Sequence, residues 1–584
     1  MPAFDLIIRG GTIVDGTGAR RYTGDVAVKD GQIAQVGTVT GDAEQEIEAA
    51  GLIVTPGFVD IHTHYDGQAT WDQEMAPSSW HGVTTVVMGN CGVGFAPARP
   101  DRHEWLINLM EGVEDIPGTA LAEGMTWDWE TFPEYLDALE KLPRTVDVGT
   151  HVPHGAVRAY VLGDREQPGA VPTADDLAQM SAIVEEGIHA GALGFSTSRT
   201  VLHKSVDGEL VPGTTATAEE LVTIGRSMGR AGHGVFEMAS DLKRDWNEFE
   251  WMGNLSRETG LPITFAALQS IAKEMPLAEQ ISEMRAQNDN GARIVAQIAL
   301  RGNGIIMAWQ GTVHPFVFRP AWQAIKDLPW AQQKAKLLDP AFKALLLAQA
   351  NDYSEAPQDI LPVVMVITQG WALQYEMDPD FDYEPEAGAS VNARGNAAGI
   401  DPQEYAYDLL CANDGTGFIY LPILNYADGN LDFLHPLQHA DDTVNSLSDG
   451  GAHCGTICDA ASPTFMLQHW VRDRKRGNRI TLENAIKRQC RDTAQLYGLD
   501  DRGVIAPGYL ADLNIIDMAV IKLGKPWLAF DLPAGGKRLL QRAEGYVATI
   551  KGGEVTFRNG KWTGATPGGL IRGPQRAELA EAAE

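Results

Sequence analysis

The chain has 584 residues, of which 44% are hydrophobic and 21% are charged, and its formal net charge is −32. This length exceeds what one compact core accommodates, so we expect two or more domains or one barrel with large insertions. Such a negative charge repels phosphate backbones and anionic membranes, which excludes nucleic acids and membrane surfaces as expected partners.

The N-terminal segment MPAFDLIIRGGTIVDG has no basic stretch before an apolar one, so no signal peptide is expected. No run of about 18 apolar residues predicts a membrane span. The five cysteines are scattered and odd in number, which argues against a disulfide framework. A cytoplasmic location is the resulting expectation.

Both ends of the chain predict short strands joined by tight turns. Alternating apolar residues and Asp-Gly or Gly-Gly turns occur in FDLIIRGGTIVDG and GDVAVKDGQIAQVG, and again in ADLNIIDM and YVATIKGGEVTFRNGKW. We expect residues 1–56 and 500–570 to form one discontinuous β-sandwich domain. The region 57–499 would then be enclosed between its two halves.

The region 57–499 alternates short apolar runs with longer helical stretches, as βα units around a parallel sheet do. This pattern predicts an α/β fold of the (β/α)8 TIM-barrel type. Two segments exceed what such a barrel needs, at about 98–140 and 305–440, and are predicted to be insertions that shape a substrate pocket or an oligomer contact. The eight predicted strands are 53–60, 83–89, 145–150, 192–197, 233–238, 262–267, 292–298 and 445–449.

The strongest chemical signal is His62-Thr63-His64 at the end of the first barrel strand. Residues i and i+2 of a strand face the same side, so both imidazoles can reach one metal ion. Chance alone gives about 0.3 such pairs among 14 histidines. The apolar strand and the Pro-Gly entry favour a metal-ligand pair over two structural histidines.

Two further strand ends carry possible ligands. Cys91, in GNCG, is either a thiolate ligand or a buried apolar cysteine. Asp449, in SLSDGGAH, is either a metal ligand that also accepts a proton from water or part of an ordinary Asp-Gly turn.

Polar residues near other strand ends are candidates for substrate binding, with a solvated surface position as the alternative. A substrate carboxylate suits the cations, and an oxyanion suits the histidines. His453 is open to a third interpretation as a metal ligand. The candidates are His154, Arg158, Arg199, Lys204, Glu237, Gln269 and His453.

Taken together, these segments resemble the amidohydrolase superfamily, most closely its N-acyl-D-amino-acid deacylase (D-aminoacylase) branch. The resemblance runs nearly end to end. It rests on DLIIRGGTIVDGTG, TPGFVDIHTHYD, GNCGVG, HVPHGAVR, GALGFSTS, SLSDGGAH and DRGVIAPGYLADLNIID.

The resemblance implies a zinc site ligated by His62, His64, Cys91 and Asp449. The family also places histidines at the ends of strands five and six, in patterns like YxSHxR and ISHxK. Here Ala239 and Ala267 stand at those places. Because alanine cannot coordinate, a divergent member with one zinc ion per chain is expected, and a two-metal site is the alternative.

The expected reaction is hydrolysis of the amide bond of a small N-acyl amino acid, with Asp449 as the general base. A hydrolase of a cyclic amide or another acyl linkage is an alternative on the same scaffold. A catalytically inactive scaffold or binding protein is the alternative outside enzymes. The sequence leaves the oligomeric state open, and the segment 305–440 is the candidate interface of a homo-oligomer.

Overall fold

The computed structural model describes residues 2–270, 273–354, 356–378 and 380–577. The strands are β1 (Phe4–Ile13), β2 (Tyr22–Lys29), β3 (Gln32–Gly37), β4 (Ala43–Glu48), β5 (Ile53–Pro56), β6 (Phe58–Asp60), β7 (Val83–Met88), β8 (Asp147–Pro153), β9 (Gly194–Arg199), β10 (Val235–Ser240), β11 (Ile263–Ala266), β12 (Ile294–Ile298), β13 (Asn303–Met307), β14 (Tyr375–Glu376), β15 (Ile419–Leu424), β16 (Thr443–Asn445), β17 (Leu499–Asp500), β18 (Leu513–Ile516), β19 (Lys522–Leu523), β20 (Trp527–Leu532), β21 (Gly536–Leu540), β22 (Ala543–Glu544), β23 (Tyr546–Lys551), β24 (Glu554–Arg558), β25 (Lys561–Trp562) and β26 (Gln575–Arg576).

The α-helices are α1 (His103–Glu114), α2 (Gly118–Gly124), α3 (Phe132–Glu140), α4 (His154–Leu162), α5 (Ala174–Ala190), α6 (Ala218–Ala231), α7 (Glu248–Thr259), α8 (Leu277–Asp289), α9 (Pro320–Gln323), α10 (Trp330–Leu337), α11 (Pro340–Leu347), α12 (Leu361–Gln369), α13 (Val391–Ala398), α14 (Pro402–Gly415), α15 (Leu434–Leu437), α16 (Ser462–Phe465), α17 (Leu482–Gln489) and α18 (Arg491–Leu496). None of these described helices combines the length and the apolar character needed to cross a membrane.

Eight parallel strands form the barrel in the order β6, β7, β8, β9, β10, β11, β12, β16. Most are buried along their whole length, because helices cover the outer face and side chains fill the interior. Helices α5 and α6 each begin at a threonine whose side chain accepts an amide hydrogen bond from the first turn. The predicted TIM-type fold is confirmed.

The predicted strand 53–60 is two strands in different sheets. Strand β5 pairs with β1 and β18, whereas β6 pairs with β7. Gly57 lies between them, and a Cβ atom there would come within 2.2 Å of Thr84 Oγ1. Glycine therefore lets the chain pass closely from one sheet into the other.

The last barrel strand is also shorter and earlier than predicted, ending at Asn445 instead of residue 449. Leu447 and Asp449 have φ angles of 59° and 48°. These left-handed conformations cannot continue an extended strand, so residues 446–449 turn into the mouth of the barrel.

Both termini contribute to one nine-stranded sheet. Strand β5 from the N-terminal part pairs with β18 from the C-terminal part, and β23 to β25 extend the sheet beyond β18. A separate core of aliphatic side chains joins the two parts, with Leu6 and Val54 from one and Leu513 and Ile515 from the other. The ends of the chain thus hold each other through hydrophobic burial.

The surplus segments fold mainly as helices, and the second one also contains a small sheet. Residues 98–140 contain α1, α2 and α3. Residues 305–440 contain α9 to α15, and β13, β14 and β15 form a three-stranded antiparallel sheet there. This second segment has its own aromatic and aliphatic core, which includes Trp309, Trp322 and Tyr407.

Replacing Ile515 with alanine should lower the free energy of unfolding by about 2–5 kcal/mol, because Ile515 is fully buried between the two terminal parts. Urea denaturation followed by circular dichroism measures this change. The control Val520→Ala removes methyl groups from a side chain that is 52% exposed and should change it by less than about 0.5 kcal/mol. Equal effects of the two substitutions would contradict the conclusion that burial of Ile515 stabilises the contact between the two terminal parts.

Candidate metal centre

The closure of the barrel brings the first and last strands together at their carboxyl ends. The amide of His64 donates to the carbonyl of Gly450 at 2.8 Å, and the amide of Asp449 donates to the carbonyl of His62 at 3.1 Å. Residues that are 385 or more positions apart are thereby fixed side by side. The site lies at the end of the barrel where enzymes of this fold carry their chemistry.

Four possible ligand side chains meet at this closure. Ligand atoms of His62, His64 and Cys91 all lie within 4.8 Å of one another, and all three residues are buried. Sγ of Cys91 is 3.4 Å from Nε2 of His62. Oδ1 of Asp449 is 3.5 Å from Nε2 of His62 and 3.8 Å from Nε2 of His64. The cluster offers two nitrogens, one sulfur and one oxygen, a set that suits zinc.

Backbone strain is concentrated in the same residues. Cys91, Asp449 and His453 have φ angles of 55°, 48° and 50°. Such left-handed conformations cost of the order of 1–3 kcal/mol each in non-glycine residues and persist where the surroundings enforce them. The fold therefore holds these three side chains in place at the expense of local backbone stability.

Gln297 orients His62. Its Oε1 lies 2.7 Å from Nδ1 of His62 and also accepts a hydrogen bond from the Ser446 hydroxyl at 2.9 Å. An imidazole that donates through Nδ1 presents Nε2 as its free lone pair, so this contact directs Nε2 towards the cluster. Strand β12 supplies Gln297, which the sequence interpretation did not single out.

Glu114 connects two histidines of the site. One carboxylate oxygen is 3.3 Å from Nδ1 of His64, and the other is 3.5 Å from Nε2 of His453. Its backbone carbonyl also accepts a hydrogen bond from the His453 amide. Glu114 ends helix α1 in the segment 98–140, so a carboxylate from an insertion completes the surroundings of a barrel histidine.

Burial controls the protonation of the cluster. It raises the pKa of the Asp449 carboxyl to about 8 and that of the Glu237 carboxyl to about 8. It raises the pKa of the Cys91 thiol well above its usual range, and the neighbouring carboxylates add to this effect. It lowers the pKa of His62 to about 4, which keeps that imidazole neutral, as a ligand must be. A cation bound among these acidic groups would favour their ionised forms and lower their pKa values.

Unpartnered atoms support the same conclusion. Within the described residues, Nδ1 of His64 and Oε1 of Glu114 face each other at 3.3 Å without the geometry of a hydrogen bond, and Oε1 of Glu237 is buried without a hydrogen-bond partner. Buried polar atoms without partners are rare in stable folds. The residues present therefore fit a divalent cation held by His62, His64, Cys91 and Asp449.

The structure separates the seven candidate substrate-binding residues. His453 lines the cavity that opens above the four ligand candidates, and Glu237 lies beneath it, where Oε2 accepts the Cys91 amide at 2.9 Å. The other five, His154, Arg158, Arg199, Lys204 and Gln269, do not belong to the described lining of that cavity.

Buried partners explain the position of the two arginines. Arg158 donates to both oxygens of Glu220, at 2.5 and 2.7 Å, and Arg199 donates to Glu248 at 2.6 Å. His154 also bonds to Glu220, at 2.9 Å. Ion pairs this deeply buried are structural, because removing one partner would leave an uncompensated charge.

Gln269 is held in a loop contact outside the cavity. Its amide nitrogen Nε2 donates to Asp428 at 2.8 Å, and its backbone amide donates to the Asn425 side chain at 2.7 Å. Lys204 lies in a short hairpin, bridged to Leu210. Spacing along the sequence gave no sign of these partners, which come from other parts of the chain.

Some polar residues that line the cavity were not among the site residues predicted from the sequence. They include Glu114, His203, Asp241 and Lys273. His203 and Lys273 follow the strands β9 and β11, so their position after a strand end is the only signal that the sequence offered.

The two alanines proposed at the strand-five and strand-six histidine positions lie differently. Ala239, on the fifth barrel strand β10, lines the cavity. On the sixth barrel strand, β11, the residue that faces the cavity is Ala266. Ala267, one residue later, packs in the main hydrophobic core. The alternation of side chains along β11 accounts for this difference.

Comparison with known proteins identifies the family. Residues 45–342 and 430–557, well over half of the chain, match the amidohydrolase family. The chain belongs to the amidohydrolase family. The unmatched stretch between them lies within the segment 305–440.

Relatives of this amidohydrolase include proteins named as deacylases. It is 26% identical to the N-acyl-D-aspartate deacylase of Alcaligenes xylosoxydans xylosoxydans over 98% of this chain and 95% of the relative. It is 31% identical to the D-aminoacylase of the same organism over 45% of this chain and 50% of the relative. These similarities confirm the predicted resemblance to the D-aminoacylase branch.

A solved structure shares the fold. The N-acyl-D-glutamate deacylase of Bordetella bronchiseptica, solved with zinc and a phosphonate inhibitor, matches with a TM-score of 0.62 and 21% identity over 97% of this chain and 99% of its own. The amidohydrolase family makes this chain a hydrolase of carbon–nitrogen bonds. An inactive scaffold, the alternative left open by the sequence, is not favoured.

Replacing Glu114 with glutamine should raise the dissociation constant for zinc by about 10–100-fold, because a carboxylate beside a ligating imidazole makes it a better donor. Competition with a chromophoric chelator measures this constant without any substrate. Glu104→Gln, an exposed change on the same helix, is the matched control and should leave it unaltered. An unaltered constant in the Glu114 variant would mean that Glu114 does not position His64.

Proposed function

We propose that this protein is a zinc-dependent deacylase that hydrolyses the amide bond of N-acyl amino acids, with one metal ion per chain. The observation that carries the proposal is the convergence of His62, His64, Cys91 and Asp449 at the floor of a cavity. The relatives named as deacylases of N-acylated amino acids support the substrate class.

The donor set favours zinc and a single ion. A thiolate with two imidazoles prefers zinc to harder cations such as Mg²⁺ or Ca²⁺. Ala239 and Ala266 line the cavity on β10 and β11, the fifth and sixth barrel strands, where a second ion would need ligands. A bound divalent cation would supply a Lewis acid that polarises the scissile carbonyl and makes water more acidic.

Asp449 is the proposed general base. Its side chain is partly exposed to the cavity, at 17%, whereas the histidines beside it are almost completely buried. It can therefore reach both the ligand cluster and an incoming water molecule. After accepting the proton from water, it would deliver that proton to the leaving nitrogen.

His453 and Lys273 are proposed to bind the substrate. His453 lies beside Glu114 at the cavity floor, where an imidazole can donate to the carbonyl oxygen as negative charge develops there. Lys273 lines the cavity and donates to the Ser240 carbonyl at 2.9 Å, so its ammonium is held in place. A substrate carboxylate is the natural partner of this cation.

Asp449→Asn should lower kcat by about 10²–10⁴-fold, because asparagine cannot accept the proton from water. Circular dichroism should show an unchanged fold, and zinc content should be measured on the same sample. Asp327→Asn, an exposed change in the long insertion, should have normal activity. A nearly normal rate in the Asp449 variant would exclude Asp449 as the base.

Elemental analysis should find about one zinc per chain in the wild type and almost none in a His62→Ala/His64→Ala variant. Removal of the metal with a chelator should abolish hydrolysis of N-acyl amino acids, and one equivalent of zinc should restore it. Two equivalents needed for full activity would contradict the single-ion proposal. Activity that survives complete removal of metal would contradict the metal-dependent mechanism.

A further inference from the structure

The cavity above the ligand cluster is much larger than an acetylated amino acid requires. Its volume is about 590 Å³, within the range of sites that bind drug-sized ligands. The ligand cluster occupies its floor, so a substrate that places its amide there leaves most of the volume to be filled by its other groups.

One side of this cavity is an aliphatic wall built by the long insertion. It consists of Ile305, Val313, Val363, Ile423 and Leu424. These residues come from β13, the loop after it, α12 and β15. All of the strand members belong to one antiparallel pair, so the wall has a fixed shape.

The residues of the wall are buried on one side and open to the cavity on the other. Ile305, Val313 and Val363 pack on one side against the core of the insertion. Their remaining surface faces the cavity. Leu202, from the loop after β9, also lines the cavity and is 58% exposed. Exposed aliphatic surface that is continuous with an active-site cavity is typical of a binding site for an apolar group.

Most of the charged and hydroxyl side chains of the lining come from other loops. Thr200, Asp241 and Lys273 follow β9, β10 and β11, and Ser240 ends β10, whereas the aliphatic wall follows β12. A substrate carboxylate at Lys273 therefore directs the amino-acid part of the molecule to the polar loops. The acyl part, on the other side of the scissile bond, is then left to the aliphatic wall.

We propose that the cavity accepts N-acyl amino acids whose acyl group is a long aliphatic chain, of about six carbons or more, held by the wall defined above. This inference rests on the proposed deacylase function. An acetyl group would leave the wall in contact with water, whereas each methylene of a longer chain buries apolar surface against it.

The test is a homologous series of alanine conjugates in both configurations, N-acetyl, N-hexanoyl and N-decanoyl, with the zinc-loaded wild-type enzyme. We expect kcat/KM to rise by about fourfold per added methylene between acetyl and hexanoyl. A flat or falling dependence on chain length would overturn the inference and leave the deacylase function standing. No hydrolysis of any conjugate would overturn both.

A second series separates the acyl chain from the amino-acid side chain. We expect N-acetyl-leucine to be hydrolysed with a kcat/KM close to that of N-acetyl-alanine. A large preference for N-acetyl-leucine together with no gain from hexanoyl would assign the wall to the amino-acid side chain and overturn the inference.

Two variants on one helix provide the matched control. Val363→Trp places a bulky side chain in the cavity space beside the wall. It should lower kcat/KM for the decanoyl conjugate by about tenfold or more, with little change for the acetyl conjugate. Met365→Trp, two residues along α12, alters a side chain that is 46% exposed and outside the cavity lining, and should affect neither. Equal losses for both conjugates in the Val363 variant would count against the wall as an acyl-chain site.

Discussion

The hydrogen bonds that join the first and last barrel strands hold the whole site together. They link His62 and His64 to residues 449 and 450 through the main chain, so the ligand side chains cannot move apart without opening the barrel. A parallel sheet curled into a closed barrel has no free edge at this point, and its strand ends converge on one mouth. The candidate metal centre and the cavity above it both lie at this closure.

The same closure creates an electrostatic problem that the surrounding residues solve in part. Carboxylates, a thiol and imidazoles lie close together in a dry environment, where isolated charge is costly. Gln297 fixes one imidazole by a neutral hydrogen bond, and Glu114 connects the other to His453. The same contacts leave Nε2 of His62 and His64, Sγ of Cys91 and Oδ1 of Asp449 directed at one another, as the proposed cation requires.

The two inserted segments contribute different parts of the surroundings of this site. The segment 98–140 supplies Glu114 beside the ligands, and the segment 305–440 supplies the aliphatic wall further out. The barrel contributes the reactive residues, and the inserted segments contribute their surroundings. This division explains how one barrel fold can carry cavities of different character.

The sequence by itself determined the barrel, the strands at both termini and the histidine pair, through apolar runs of strand length, turn residues and an i, i+2 spacing. The set of four ligand candidates came from the resemblance to the deacylase branch. Only the tertiary structure decided the partners of Arg158 and Arg199 and the positions of Glu114, Lys273, Val363 and Ala266 around the cavity. Each of these depends on contacts between segments far apart in the chain. No short-range pattern encodes such contacts, because they arise only when the closed barrel and its insertions pack together.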